Sequence, residues 1–180
     1  MIDPYEIIKR YYPEGCKLYD ILVTHSECVC GKALECVAKH PELVIDVEFV
    51  KEAAMLHDIG IFYTYAPPIE CMGTHLYIEH GTLGAELLRN LGLERHARVC
   101  ECHTGTGLTA EYIRRMHYPL PEKDMMPESL EEKLVCYADK FYSKNKDLTK
   151  AKDVAVIREK LAKWEDGSVE RFDELHKIFG

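Results

Sequence analysis

Apolar residues return at steps of three and four along almost the whole chain, while the two-residue alternation of a half-buried strand is weak throughout. Such a sequence predicts an all-α protein, divided into helices by its Gly and Pro residues. Asp3-Pro4 opens a first short helix with a capping residue and a proline at its first position, running to about Tyr12 before Pro13 and Gly15. The second helix is expected over 17–39, where Leu18, Leu22, Val29, Ala33 and Cys36 share a face. His25 lies inside that apolar stripe. The third starts at Asp46, with Ile45 and Val50 placed as a hydrophobic staple, and turns Val47, Val50, Ala54 and His57 inward. Gly60 reads as its stop.

A loop is expected over 61–74, because Pro67-Pro68 forbids a continuous helix. Its aromatics Phe62, Tyr63 and Tyr65 suit covering the core better than stacking on a base. The next helix has Glu79-His80-Gly81 at its start and Leu83, Leu87, Leu88 and Leu91 inside. A short one over 93–102 then delivers His103 into Thr104-Gly105-Thr106-Gly107. A helix near 109–117 and a proline-bearing segment over 118–127 lead to Ser129-Leu-Glu-Glu132, a capping box opening a helix that carries Val135, Asp139 and Tyr142 on one face. Two packing helices, about 150–165 and 168–179, complete the expectation of a single domain with a helical core over about 17–145.

The formal net charge of −8 argues against broad nucleic-acid binding, which depends on neutralising phosphates. It leaves room for a small phosphorylated substrate, since a bound cation reverses the field locally. No apolar run is long enough for a membrane span, and Met1-Ile2-Asp3-Pro4 does not open a secretory signal, so a cytoplasmic protein is expected, with a homodimer left open. Its eight cysteines are then expected to stay reduced.

His25, His57, Asp58 and Asp139 stand out because each is a polar group on a face that should point inward. Imidazole nitrogen mixed with carboxylate oxygen suits iron, manganese or zinc better than magnesium. Each residue alone is ordinary, since buried histidines and aspartates are more often hydrogen-bonded core groups. Cys28-Val-Cys30 and Cys100-Glu-Cys102 resemble chelating pairs, but helical residues two apart point away from each other. Small buried apolar residues are the better reading of those cysteines.

The order His25, then His57-Asp58-Ile59-Gly60, then Asp139 resembles the HD superfamily of metal-dependent phosphohydrolases in its HDIG form. The resemblance extends to His80-Gly81 with Gly84, to His103-Thr-Gly-Thr-Gly-Leu-Thr109 and to the run from Pro127 through Asp139-Lys140, as in small stand-alone HDIG proteins. It implies an HD-type helical bundle in which His25, His57, Asp58 and Asp139 bind one divalent metal. Asp58, the candidate catalytic residue, bridges to a second ion completed by His80 and His103. It further implies hydrolysis of a small phosphorylated compound, a nucleotide above all, whether phosphomonoester, phosphodiester or dinucleoside polyphosphate, by attack of metal-bound hydroxide.

One departure is Ile61, where many HDIG proteins carry a basic residue. The substrate phosphate then needs another partner, and Lys140 is the first choice ahead of Arg114, Arg115 and Lys123 because it adjoins a ligand. His75 is read as a solvated neighbour and Glu79 as an acid suited to a helix N-terminus. Two alternatives use the same pocket: a non-catalytic sensor holding metal and nucleotide, and a di-iron oxygenase of the kind a few HD-fold proteins resemble. Phosphoester turnover separates the first from the enzyme, and colour with two irons per chain would mark the second.

Overall fold

The computed structural model describes residues 2–145 and 147–180. Among them run α1 (Pro4–Lys9), α2 (Lys17–Lys39), α3 (Val47–Leu56), α4 (His80–Asn90), α5 (Glu94–Cys102), α6 (Ala110–Met116), α7 (Leu130–Asp139), α8 (Val154–Leu161) and α9 (Ser168–Phe179). The chain is all-α apart from an antiparallel ribbon of two-residue strands, β1 (Tyr65–Ala66) and β2 (Cys71–Met72), inside the expected loop. No described helix is long and apolar enough to cross a membrane.

Local chemistry sets most of the boundaries. The Asp3 carboxylate accepts from the amides of Tyr5 and Glu6, and Asp46 accepts from Phe49, so both satisfy amides that a helix start leaves open. Ser129 and Glu132 close a full capping box on α7. The helix expected over 150–165 is shorter, because tertiary bonds claim its start. The Lys152 amide donates to Phe141 O (2.8 Å), and its ammonium to Lys140 O (2.7 Å). Residues 151–153 are thereby laid against the end of α7 instead of continuing a helix.

Two apolar clusters share α2 and α3. One gathers Val29 and Ala33 with Val50, Ala54, Leu134, Val135, Phe172 and Phe179 of α3, α7 and α9. The other gathers Ile8, Leu22, Leu56, Ile59, Leu88 and Ala97 from α1 through α5. Each such side chain, fully buried, contributes about 1.5–3 kcal/mol. That surplus lets the fold tolerate a polar knot where the ends of α3, α5 and α7 and the start of α4 meet the middle of α2.

The end of α5 is fastened by an unusual device. The Glu101 side chain is only 4% exposed, yet it contacts Lys123 (3.0 Å), Arg89 (3.3 Å) and Arg98 (3.6 Å), tying α5 to α4 and to the segment before α7. Burial resists its charge, but Lys123 and Arg89 outweigh it and hold the carboxyl below its usual value of 4.5. A depressed carboxyl stabilises the fold above its unfolded pKa, and that contribution disappears as pH falls through the folded value. Glu101→Gln, which leaves three cations facing a neutral amide, is expected to cost about 3 kcal/mol at pH 7. Urea midpoints of variant and parent should converge below about pH 4.5; a constant gap across pH would refute the ionic origin.

Candidate metal centre

The structure brings all six expected ligands together. His25, His57, Asp58, His80 and His103 are each at most 4% exposed, and Asp139 lies at the rim. The pivot is Asp58. Its Oδ2 lies 3.1 Å from His25 Nε2 and 3.0 Å from His57 Nε2, whereas its Oδ1 lies 3.3 Å from His80 Nε2 and 3.4 Å from His103 Nε2. Asp139 Oδ1 closes the first group at 3.0 Å from His25 Nε2 and 3.4 Å from His57 Nε2. One potential ligand atom from each residue falls within 4.8 Å of the others in two sets: His25, His57, Asp58 and Asp139, and Asp58, His80 and His103.

Three of the histidines are aimed by one rule. The Nδ1 of His57 faces Ala54 O (2.7 Å), that of His80 faces Tyr77 O (2.6 Å) and that of His103 faces Cys100 O (2.8 Å). In each case the partner is the carbonyl three residues back, exposed because a helical turn is ending or being re-formed there. With Nδ1–H donating, each ring aims Nε2 into the cluster, the atom whose lone pair is offered to a metal once it carries no proton.

Buried polar atoms are nearly always hydrogen-bonded, and here several are not. His57 Nε2 and both Asp58 carboxylate oxygens, fully buried, make no well-aligned hydrogen bond among the described residues; the imidazole nitrogens and the Lys144 ammonium crowd around the carboxylate without one. Such a convergence of acceptors calls for a cation. The donors are imidazole and carboxylate in number and spacing fit for a divalent transition metal, so the cluster is able to bind one.

The field within the cluster is divided. Burial opposes charge on Asp58, but His57 and then Lys144 hold its carboxyl well below the usual range. Asp139 is likewise held well down against burial by Lys140 and His25. Burial also works against charging His57, yet Asp58 and Asp139 lift it to about 9. Burial presses His103 down to about 4 and leaves it neutral.

Two lysines approach the centre. Lys140 is largely buried and bonded to Asp139 Oδ2 (2.8 Å) and His103 O (3.0 Å), so its ammonium orients one ligand and the turn carrying another. Lys144 was not singled out from the sequence, yet its Nζ lies 2.5 Å from Asp58 Oδ2. The Ile61 side chain is in the core, 0% exposed, and Lys144 brings to Asp58 a charge that the position after Gly60 lacks. Both lysines line a cleft of about 400 Å3 that opens from Asp139.

The remaining candidates sit elsewhere. Arg114 pairs with Glu122, Arg115 with Asp166, and Lys123 with Glu101. His75 bonds Glu79, whose other oxygen accepts from the Leu76 amide and so caps the turn before α4. Phe62 packs against Tyr11, Tyr12 and Tyr63, while Tyr65 is exposed. All eight cysteines are free thiols, five of them buried.

The stretch from 22 to 143 matches the family model described as HD domain. An uncharacterised protein of Methanocaldococcus jannaschii is 43% identical over 96 residues, 53% of this chain and 49% of that protein. A tRNA (cytidine(56)-2'-O)-methyltransferase of Picrophilus torridus is 34% identical over 125 residues, 69% of this chain and 32% of the relative. One of the same name from Thermoplasma volcanium is 31% identical over 160 residues, 88% of this chain and 42% of the relative. The chain thus spans half or less of the length of each. No solved structure matches it. A 160-residue stretch of a 180-residue chain includes His25 through Lys144 wherever it starts, so the third similarity embraces the whole centre. The family match runs from the second turn of α2 past the carboxylate that ends α7, and on that ground the chain belongs to the HD domain family.

Proposed function

We propose that the protein is a metal-dependent phosphohydrolase acting on a small phosphorylated compound, a nucleotide for preference. The observation that carries this reading is the position of Asp58, whose two oxygens serve two donor sets behind Asp139 and Lys144, which line a lysine-rich cleft. His25, His57, Asp58 and Asp139 would hold one ion, and Asp58, His80 and His103 a second, with iron, manganese or zinc suiting the ligands better than magnesium. Divalent ions so placed supply an activated water and offset the charge on phosphate oxygens. The chain's own contribution is to fix the ligands: carbonyls at 54, 77 and 100 set three imidazoles, and Lys140 sets Asp139. Lys144, beside Asp58 and on the cleft wall, meets the anionic substrate at the centre.

The methyl transfer named for two relatives is not carried over. This chain corresponds to 32% and 42% of their lengths, which leaves the larger part of each for that activity. The acidic balance of −8 also disfavours an RNA as the bound partner.

Metal analysis followed by a hydrolysis screen tests the reading. Purified protein reconstituted with manganese, iron or zinc is expected to hydrolyse p-nitrophenyl phosphate or its bis-ester, and a member of a nucleotide panel faster. A fully loaded centre that turns over none of these would overturn it. Metal alone should also raise stability by about 2.7 kcal/mol at a hundredfold excess over Kd, a Tm shift of about 5–10 °C read by calorimetry. No shift with any of the three ions would remove the metal centre from the account.

A further inference from the structure

The cleft at Asp139 is electrically unlike the rest of the molecule. The chain carries −8, yet four lysines line the cleft, Lys140, Lys144, Lys152 and Lys160, against a single carboxylate, Asp139. The inner two are committed to ligands of the metal centre. The outer two are not. Lys152 is partly buried and its ammonium donates only to the carbonyls of Lys140 and Tyr142, leaving one N–H over. Neither Lys152 nor Lys160 has a carboxylate within ion-pair distance among the described residues.

The order of these groups along the cleft can be read from its lining. Asp139 and Lys140 line only the inner hollow, whereas Lys144, Lys152 and Lys160 also line a contiguous outer one of about 920 Å3, where Lys17 and Lys150 join them and the carboxylates are Asp147 and Asp153, neither paired with Lys152 or Lys160. Ala66, Pro68 and Ile69 add apolar surface to the lining of the inner hollow, together with the Tyr77 ring. A partly buried lysine without a counter-ion is costly, and burial holds Lys152 down at about 8. An anion lying between Lys152 and Lys160 offsets that cost.

We propose that the outer cleft is a second anion subsite, in which Lys152 and Lys160 receive a phosphoryl group distal to the one presented to the metal centre. The substrate class is thereby narrowed to compounds bearing at least two phosphoryl groups joined through a compact or apolar linker. This rests on the phosphohydrolase reading only for the identity of the inner group.

Isothermal calorimetry with inorganic tripolyphosphate and with orthophosphate on EDTA-treated full-length protein tests the subsite without turnover and without metal chelation. Tripolyphosphate is expected to bind at least about tenfold more tightly than orthophosphate, and Lys160→Glu to weaken it about tenfold. Lys177→Glu, the same charge change on α9 away from the cleft, should leave the affinity unaltered. Because Lys152 also ties residues 151–153 to α7, Lys152→Arg with a matching thermal melt replaces truncation there; its affinity should stay within a few fold of the parent. Equal affinity for the two anions, or equal losses in Lys160→Glu and Lys177→Glu, would overturn the subsite. Selective tripolyphosphate binding by a protein that hydrolyses no phosphoester when loaded would uphold the subsite and overturn the hydrolase reading alone.

Discussion

Asp58→Ala is expected to empty both metal positions at once, while substitutions on either side empty only one. Asp58 is the only residue common to the two donor sets, and it presents a different oxygen to each. Removing it therefore strips both sets, whereas His25→Ala leaves Asp58, His80 and His103 intact and His103→Ala leaves His25, His57, Asp58 and Asp139. Equilibrium dialysis with manganese should read two ions per chain in the parent, one in each histidine variant and none in Asp58→Ala. Phosphoester hydrolysis should fall by two orders of magnitude or more in Asp58→Ala, beyond what loss of a supporting hydrogen bond produces. The metal-free form should suffer too. Lys144 and a charged His57 then face a cavity with one carboxylate fewer, and breaking a buried pair in this way costs about 3–5 kcal/mol. Asp58→Asn keeps the volume and separates the two effects: it should melt closer to the parent yet bind no second ion. A full complement of two ions in Asp58→Ala would show that the carboxylate does not bridge.

The elements that position this centre were legible where local rules act alone. Helix α2 spans 17–39 as expected because its apolar stripe is unbroken, and α7 begins at its capping box because Ser129 and Glu132 satisfy each other's amides. The inward aspect of His25 and Asp139 could be read from the same periodicity. Other features depend on contacts between distant segments, which periodicity does not encode. Lys144 lies five residues beyond Asp139, past the end of α7, so no helical phase says where it points; only the folded chain brings it to Asp58. The start of α8 moved because Lys152 bonds Phe141 and Lys140, a tertiary preference that overrides local helix propensity. Strands β1 and β2 hold two residues each, too few for any alternation to be seen.

The same distinction explains Lys140 and Lys144 together. Lys140 directly follows Asp139 at the end of α7, and its long side chain turns back onto the centre. Lys140 accordingly grips Asp139 and the His103 carbonyl. Lys144 and Lys152 come from the irregular stretch between α7 and α8, and with Lys140 they line the cleft. The centre is thus set by regular elements and its cleft by the connection that follows them.

Gly60→Ala is expected to be among the most damaging single-methyl changes in the chain, for a reason the sequence alone misassigns. A glycine after a helical run suggests a left-handed stop, as at Gly92, where φ is +75° and nothing lies within 4 Å of an added Cβ. Gly60 instead has φ −84° and ψ −2°, a right-handed turn conformation that does not demand glycine. What excludes a side chain is space. A Cβ there would lie 2.2 Å from His80 O and 2.4 Å from Gly84 N, both backbone atoms of α4, which cannot rotate aside. The start of α4 would have to retreat by roughly 1.1–1.3 Å to restore ordinary contact near 3.5 Å. That start carries His80, so its Nε2, now 3.3 Å from Asp58 Oδ1, would move with it. Overpacking of this kind costs about 3 kcal/mol, at the upper end of its usual range, and displacement of one ligand should weaken the second ion by tenfold or more. The reciprocal change provides the control. A Cβ on Gly84 meets Gly60 N at 3.0 Å, then Ile59 Cγ2 at 3.4 Å and Cys100 Sγ at 3.5 Å, contacts relieved by a few tenths of an ångström, so Gly84→Ala should cost visibly less. Urea midpoints and manganese titrations of the two variants decide the matter. If Gly60→Ala matches the parent in both, the close approach of α3's end to α4 does not set the position of His80.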